Sequence, residues 1–119
     1  MKFKFHVKGF TVNTFYRKFN NRIVISKQGL EWKNKIIRTL RCDYKIYQCF
    51  EGRIRLNLVF NFKTNRKRDL DNLLKPLIDC FKGIIYIDDE VIDEIFCVKR
   101  IHQEEDSIEL EVLQIDQKK

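Results

Sequence analysis

Two aspartates one residue apart, Asp69 and Asp71, open the stretch R-D-L-D-N-L-L-K-P-L-I-D-C-F-K-G-I-I-Y-I-D-D-E-V, and an adjacent pair, Asp88 and Asp89, closes it. Clustered carboxylates repel one another in water, so they are worth assembling mainly around a hard cation with oxygen ligands, such as Mg²⁺. Lys75 stands four residues after Asp71, which places it next to that carboxylate on a helix surface. As an exposed ion pair the two would contribute only about 0.3–0.5 kcal/mol. Beside a bound cation the same ammonium could orient a water or offset negative charge developing on a phosphate. Taken alone, D-x-D at a helix start is better explained by capping and the helix dipole. Joined to N-x-x-K at Asn72 and Lys75, to the later D-D and to a basic chain, it points to a metal site acting on phosphate esters.

The elements that must position these groups can be read around them. Leu70, Leu73, Leu74, Leu77, Ile78 and Phe81 form the stripe of a helix buried on one face. The first two aspartates can therefore meet the second pair only if the chain doubles back after the helix. Pro76 lacks an N–H and clashes with the preceding turn, which predicts a kink or a late helix start near Asn72, with Asp69 and Asp71 on the approach. Gly83 is placed to end the helix, and Ile84 to Ile87 then delivers Asp88 and Asp89. Upstream, Arg53 to Phe62 alternates as a strand, with Ile54, Leu56, Leu58, Phe60 and Phe62 inward and Arg53, Arg55, Asn57 and Asn61 outward. It runs into a basic loop whose Lys63, Arg66, Lys67 and Arg68 would draw in a phosphodiester backbone.

Further out, Lys2 to Lys8 alternates as a strand, with Phe3, Phe5 and Val7 on one face. Phe10 to Asn21 is irregular, and Asn20-Asn21 makes a turn before a short strand, Arg22 to Ile25. Arg17, Lys18 and Arg22 are candidate phosphate contacts, while Phe10, Phe15 and Phe19 are assigned to the core. Ser26 caps a predicted helix over Lys27 to Leu40 whose apolar side is Leu30, Trp32, Ile36, Ile37 and Leu40. Val91 to Ile101 and Ser107 to Ile115 read as an antiparallel hairpin turning at Gln103 to Asp106. Asp93 and Glu94 either extend the acidic site or lie on a solvated strand face, and the tail from Asp116 to Lys119 should fray.

With 119 residues, the chain is expected to form one domain, 1–119. Residues 1–68 hold 18 Lys+Arg against 3 Asp+Glu, and residues 69–119 hold 6 against 14, so halves of +15 and −8 make up the net +7. A basic half joined to an acidic half suggests a phosphate-gripping surface beside a cation-binding one. No apolar run approaches the roughly 18 residues of a membrane span, and the alternating start is unlike a signal peptide. Cys42, Cys49, Cys80 and Cys97 form no C-x-x-C, and His6 and His102 complete no zinc pattern. The expectation is reduced, mostly buried thiols in a cytoplasmic protein without zinc and without a membrane partner.

The run R-D-L-D-N-L-L-K followed by Y-I-D-D-E-V resembles the signature of the RusA-type Holliday-junction resolvases, and V-N-T-F-Y-R (12–17) with I-V-I-S-K-Q-G-L-E-W (23–32) resembles that family's amino-terminal pattern. The resemblance covers most of the chain, in order. It implies a single RusA-like endonuclease domain of α+β class, with a mixed or antiparallel sheet of about four strands and two main helices, in an intertwined homodimer. It implies Mg²⁺, with Mn²⁺ as a substitute, held by Asp69, Asp71 and Asp89, with Asp88 a further candidate and Lys75 as catalytic lysine. Paired symmetric nicks in a four-way DNA junction, during recombination and repair in a bacterial or phage setting, would be the activity. Pro76 departs from the small apolar residue common there in the family. A nuclease for flaps or other branched DNA, and a non-catalytic nucleic-acid-binding module with capping aspartates, are the alternatives.

Overall fold

The strongest alternation in the chain becomes the middle of its sheet. In the computed structural model, which describes residues 1–115, the elements run β1 (Lys2–Phe5), α1 (Val12–Phe15), β2 (Tyr16–Phe19), β3 (Arg22–Ile25), α2 (Lys27–Arg38), β4 (Ile54–Asn61), α3 (Leu70–Phe81), β5 (Ile92–Arg100) and β6 (Ser107–Gln114). A π-helical turn, Thr39–Asp43, follows α2, and a 3-10 turn, Asp89–Val91, precedes β5. Four strands form one mixed sheet in the order β1-β6-β4-β5, and β2 pairs with β3 in a separate hairpin. The α+β class, the four strands and the two main helices match the expectation from sequence. The predicted tail falls outside the described residues.

The expected hairpin between the last two strands is not formed. Both flank β4 instead, β5 parallel to it and β6 antiparallel. A parallel neighbour needs a crossover connection, and α3 provides it. At the far end Phe62 N–H donates to the Arg100 carbonyl and Gln103 N–H to the Phe62 carbonyl, so the chain arches over the end of β4 before descending as β6. β4 is hydrogen-bonded along both of its backbone edges, and every second residue of it, Ile54, Leu56, Leu58 and Phe60, is buried on one face of the sheet. These join Phe3, Phe5, Ile108, Leu110 and Val112 from the other strands, Trp32, Ile36 and Leu40 from the α2 region, and Leu73, Leu77 and Phe81 from α3 in one core. Each such side chain contributes about 1.5–3 kcal/mol by leaving water.

α3 departs from expectation at its start. The helix begins at Leu70, with Asp69 at the N-cap position and Asp71 in the first turn, and it runs through Pro76. Proline removes one backbone hydrogen bond there. Pro76 is buried beside Leu73 and Leu77, and that burial offsets the loss. Gly83, with φ of +82°, sits just past the helix, where Ile84 and Ile85 N–H groups both donate to the Phe81 carbonyl.

The amino-terminal half is organised around Ser26. Its hydroxyl accepts from Gly29 N–H at 2.9 Å and donates to the Thr14 carbonyl at 2.7 Å, so one side chain caps α2 and binds it to α1. A Cβ on Gly29 would fall 2.7 Å from the Phe15 carbonyl, so only glycine allows this close approach. The buried side of α2 is Gly29, Trp32 and Ile36, continued by Leu40, while Leu30 is half exposed, contrary to expectation. Asn20 and Asn21 turn the β2–β3 hairpin with φ of 48° and 60°, as their type suggested, but β2 itself was not expected. Phe15 is buried and Phe10 stacks on Trp32, whereas Phe19 is exposed rather than in the core. Of the four thiols, all free, only Cys80 is buried; Cys42 is exposed. Among the described residues no helix is long and apolar enough to cross a membrane.

Candidate active site

Asp69 has the extended backbone of an N-cap, with φ of −88° and ψ of 135°, yet its side chain makes no capping hydrogen bond. Asp71 follows in the first turn, where the helix dipole favours a negative charge. Neither carboxylate pairs with another described side chain, so both keep their oxygens open to solvent. Capping is therefore not what Asp69 does.

Lys75 does not pair with Asp71, as the spacing suggested, but with Asp79, one turn further on, at 3.3 Å. The reason comes from a residue distant in sequence. Tyr16, at the start of β2, donates its hydroxyl to the same Asp79 Oδ2, and its ring faces the Lys75 ammonium with the nitrogen 5.7 Å from the ring centroid. Tyr16 thus adds a hydrogen bond and an aromatic face on the Asp79 side, and among the described residues no such contact is made to Asp71. Burial and the Asp79 carboxylate together push the Tyr16 phenol above its usual pKa, and the charge of Asp89 adds to the rise. Asp89 therefore lies within electrostatic reach of the tyrosine that holds Asp79. The chain does double back after α3.

The return is made rigid by Tyr86. This buried residue donates its hydroxyl to the Ile78 carbonyl at 2.5 Å, and Gly83 N–H donates to the Tyr86 carbonyl at 2.7 Å. Burial first, then the Asp89 and Asp79 charges, raise the Tyr86 phenol above its ordinary pKa. The two carboxylates delivered by this loop differ. Asp88 accepts from Asp89 N–H at 2.8 Å and pairs with Lys82 at 3.4 Å. The Asp89 side chain makes no such contact among the described residues. Asp93 and Glu94 belong to the strand face: Asp93 pairs with Arg53 at 2.5 Å and Glu94 with Arg55 at 3.8 Å.

The candidate phosphate contacts fall in two places. Arg17, Lys18 and Arg22 are exposed on the β2–β3 hairpin, with Arg17 over the Phe19 ring. Lys63, Arg66 and Lys67 are exposed in the loop before α3. A groove of about 330 Å³ opens between this loop and the segment from Lys8 to Thr14. Arg68 departs from its expected role. It is buried, its guanidinium lies 3.9 Å from the Phe62 ring centroid, and it donates to the Arg66 carbonyl and the Thr64 hydroxyl, so it shapes the loop. Lys99 on β5 donates to the Arg68 carbonyl at 2.5 Å and ties down the residue before Asp69.

Sequence reasoning missed Tyr16, Asp79 and Lys99. Asp79 was the findable one, since it continues the four-residue spacing of Asp71 and Lys75. The donor chemistry of Asp69, Asp71 and Asp89, open hard oxygens, fits a divalent cation. Among the described residues, however, no three His, Cys, Asp or Glu side chains are drawn together into a finished metal cage.

A family model described as Endodeoxyribonuclease RusA matches residues 8–113. The chain is also similar to a protein of Enterobacteria phage HK97 named Crossover junction endodeoxyribonuclease rusA, with 30% identity over 95 residues that cover 76% of each chain.

Proposed function

Because the chain belongs to the RusA endodeoxyribonuclease family, it is a DNA-hydrolysing enzyme, and we propose that it resolves four-way junctions by paired symmetric nicks as a Mg²⁺-dependent homodimer. The observation that carries this reading is the division of labour along one face of α3 and the loop after it. Asp71 is left unpaired, Lys75 is held by Asp79 and Tyr16, and Asp89 comes back within electrostatic reach of that same tyrosine. Asp69, Asp71 and Asp89 would hold the cation, with Mn²⁺ as a substitute. Such an ion, when bound, polarises a phosphate and lowers the pKa of an attacking water. Lys75 offsets negative charge gathering on the phosphate oxygens. The hairpin and loop cations, Arg17, Lys18, Arg22, Lys63, Arg66 and Lys67, grip the backbone on either side. The open side chain of Asp69 argues against a module whose aspartates merely cap a helix.

Two symmetric cuts are most simply made by a two-fold enzyme. β5 supports self-association as an outer strand of the sheet whose Phe96 and Val98 are 54% and 46% exposed. Antiparallel pairing of two β5 strands about Cys97 would set Phe96 against Val98 and Glu94 against Arg100 of the second copy, a self-complementary arrangement.

The test is cleavage of a labelled immobile four-way junction with and without Mg²⁺, by wild type and Asp71→Asn. Paired nicks that need the metal and disappear in the variant, while junction binding persists, are expected. Binding without cutting by wild type would reject the nuclease reading for this substrate, and cutting of flaps or forks alone would keep the site and reject junction resolution.

A further inference from the structure

We propose that Asp79, fixed by the Tyr16 hydroxyl, is a positioning residue that holds the Lys75 ammonium beside the reacting phosphate and away from Asp71. The inference rests on the function proposed above and adds to it two residues that act through the lysine.

Lys75 has two carboxylates at helical spacing, Asp71 four residues before it and Asp79 four residues after. A simple helical ion pair contributes only about 0.3–0.5 kcal/mol, too little to hold a flexible four-carbon side chain in one place or to choose between them. Tyr16 decides the choice. Its hydroxyl occupies the Asp79 Oδ2 that also accepts from Lys75, and its ring offers the ammonium a cation–π contact. The carboxylate is therefore held from a second direction, by a group outside the helix.

Tyr16 is itself well anchored. It pairs with Ile25 in the hairpin register, and its ring meets buried Phe15 edge to face at 4.8 Å. Ser26 N–H donates to the Phe15 carbonyl at 2.7 Å, and the same serine caps α2. Rigidity passes from the core through Phe15 and Ser26 to Tyr16, then to Asp79, and ends at the ammonium. Diverting Lys75 to Asp79 also leaves Asp71 without a competing cation among the described residues, which a metal ligand needs.

The experiment combines a double-mutant cycle with a measurement of side-chain order. Single-turnover cleavage and junction affinity are compared for wild type, Asp79→Asn, Tyr16→Phe, Lys75→Ala and Asp79→Asn/Lys75→Ala, each first checked for an unchanged unfolding midpoint. Asparagine keeps an acceptor for the phenol and loses the charge that holds the lysine; phenylalanine keeps the ring and loses the hydroxyl. Asp79→Asn is expected to slow cleavage about 10–100-fold with junction affinity unchanged, and Tyr16→Phe by less. In the Lys75→Ala background, Asp79→Asn should cost nothing more. An equal loss in both backgrounds, or a Lys75→Ala enzyme that cuts at the wild-type rate, overturns the proposal. NMR order parameters at lysine Cε judge the clamp without any cleavage. Lys75 should be more ordered than exposed Lys63 and should loosen in both Asp79→Asn and Tyr16→Phe; a Lys75 as mobile as Lys63 in wild type overturns the clamp. A wild type that binds but does not cut rejects the nuclease reading instead, and the order parameters still decide whether the clamp exists.

Discussion

At the scale of single residues, neighbouring aspartates of identical chemistry are set apart by what else they touch. Asp88 accepts from Asp89 N–H and pairs with Lys82, which stabilises the 3-10 turn, while the Asp89 carboxylate stays open within electrostatic reach of Tyr16 and Tyr86. The two should answer differently to the same substitution. Asp89→Asn is expected to lower the cleavage rate at least about 100-fold, as loss of a metal ligand does, whereas Asp88→Asn should stay within about tenfold of wild type. Single-turnover rates at saturating Mg²⁺ check this. A larger loss in Asp88→Asn than in Asp89→Asn would reverse the assignment.

At the scale of elements, the turn after α3 is the piece on which the site depends. Gly83 reverses the chain, and the Tyr86 hydroxyl bonded to the Ile78 carbonyl fixes the returning segment against the helix it has left. Removing that hydroxyl in Tyr86→Phe should cost about 0.5–1.5 kcal/mol, and more if the Ile78 carbonyl stays unpaired in the core. The pH dependence has a definite sign. The folded-state phenol pKa is raised above the unfolded value of about 10, so above that pH the unfolded chain binds fewer protons than the native one. Stability is fully present below pH of about 10 and falls as pH rises beyond it, by up to about 1.4 kcal/mol per pH unit for this group. Urea unfolding between pH 8 and 11 should show a steeper alkaline decline for wild type than for Tyr86→Phe, and equal slopes would contradict the assignment.

At the scale of the whole molecule, topology pairs a few opposite charges of the two halves across the sheet. The sheet sets strands from both halves side by side, so Arg53 meets Asp93 and Glu90, Arg55 meets Glu94, and Lys4 meets Glu105 at 2.8 Å. The Lys4–Glu105 contact pulls the Glu105 carboxyl below its ordinary pKa and lifts the Lys4 ammonium above its own. The cations of the hairpin and of the loop before α3 make no ion pair among the described residues, and neither do Lys27, Lys33, Lys35, Arg38 and Arg41 on α2 and the turn after it, so a broad positive surface remains. The exposed β5 strand bears on assembly. Glu94→Arg or Arg100→Glu alone should weaken self-association at least about tenfold, and the double reversal should restore it, as read by sedimentation. A wild type that is monomeric at micromolar concentration would exclude this pairing.

The sequence by itself determined what short range decides. The alternation of Ile54 to Phe62 could make only a strand buried on one face, Ser26 and Asn20-Asn21 could only cap and turn, and the Leu70 to Phe81 stripe could only be a helix lying on a core. The aspartates at its two ends were likewise visible, because charge clustered in one stretch needs no fold to be noticed. Tertiary structure decided what depends on pairing at long range. Strand periodicity is the same for parallel and antiparallel neighbours, so only the crossover through α3 and the arch over β4 could separate β5 from β6. The burial of Pro76 allowed α3 to begin earlier than proline alone would suggest, and the ring of Phe62 took Arg68 out of the surface loop. Helical spacing offered Lys75 two equal carboxylates, and local energies of a few tenths of a kcal/mol could not choose between them. A phenol 63 residues away from Asp79 in the chain made that choice, and no periodicity along the sequence encodes it.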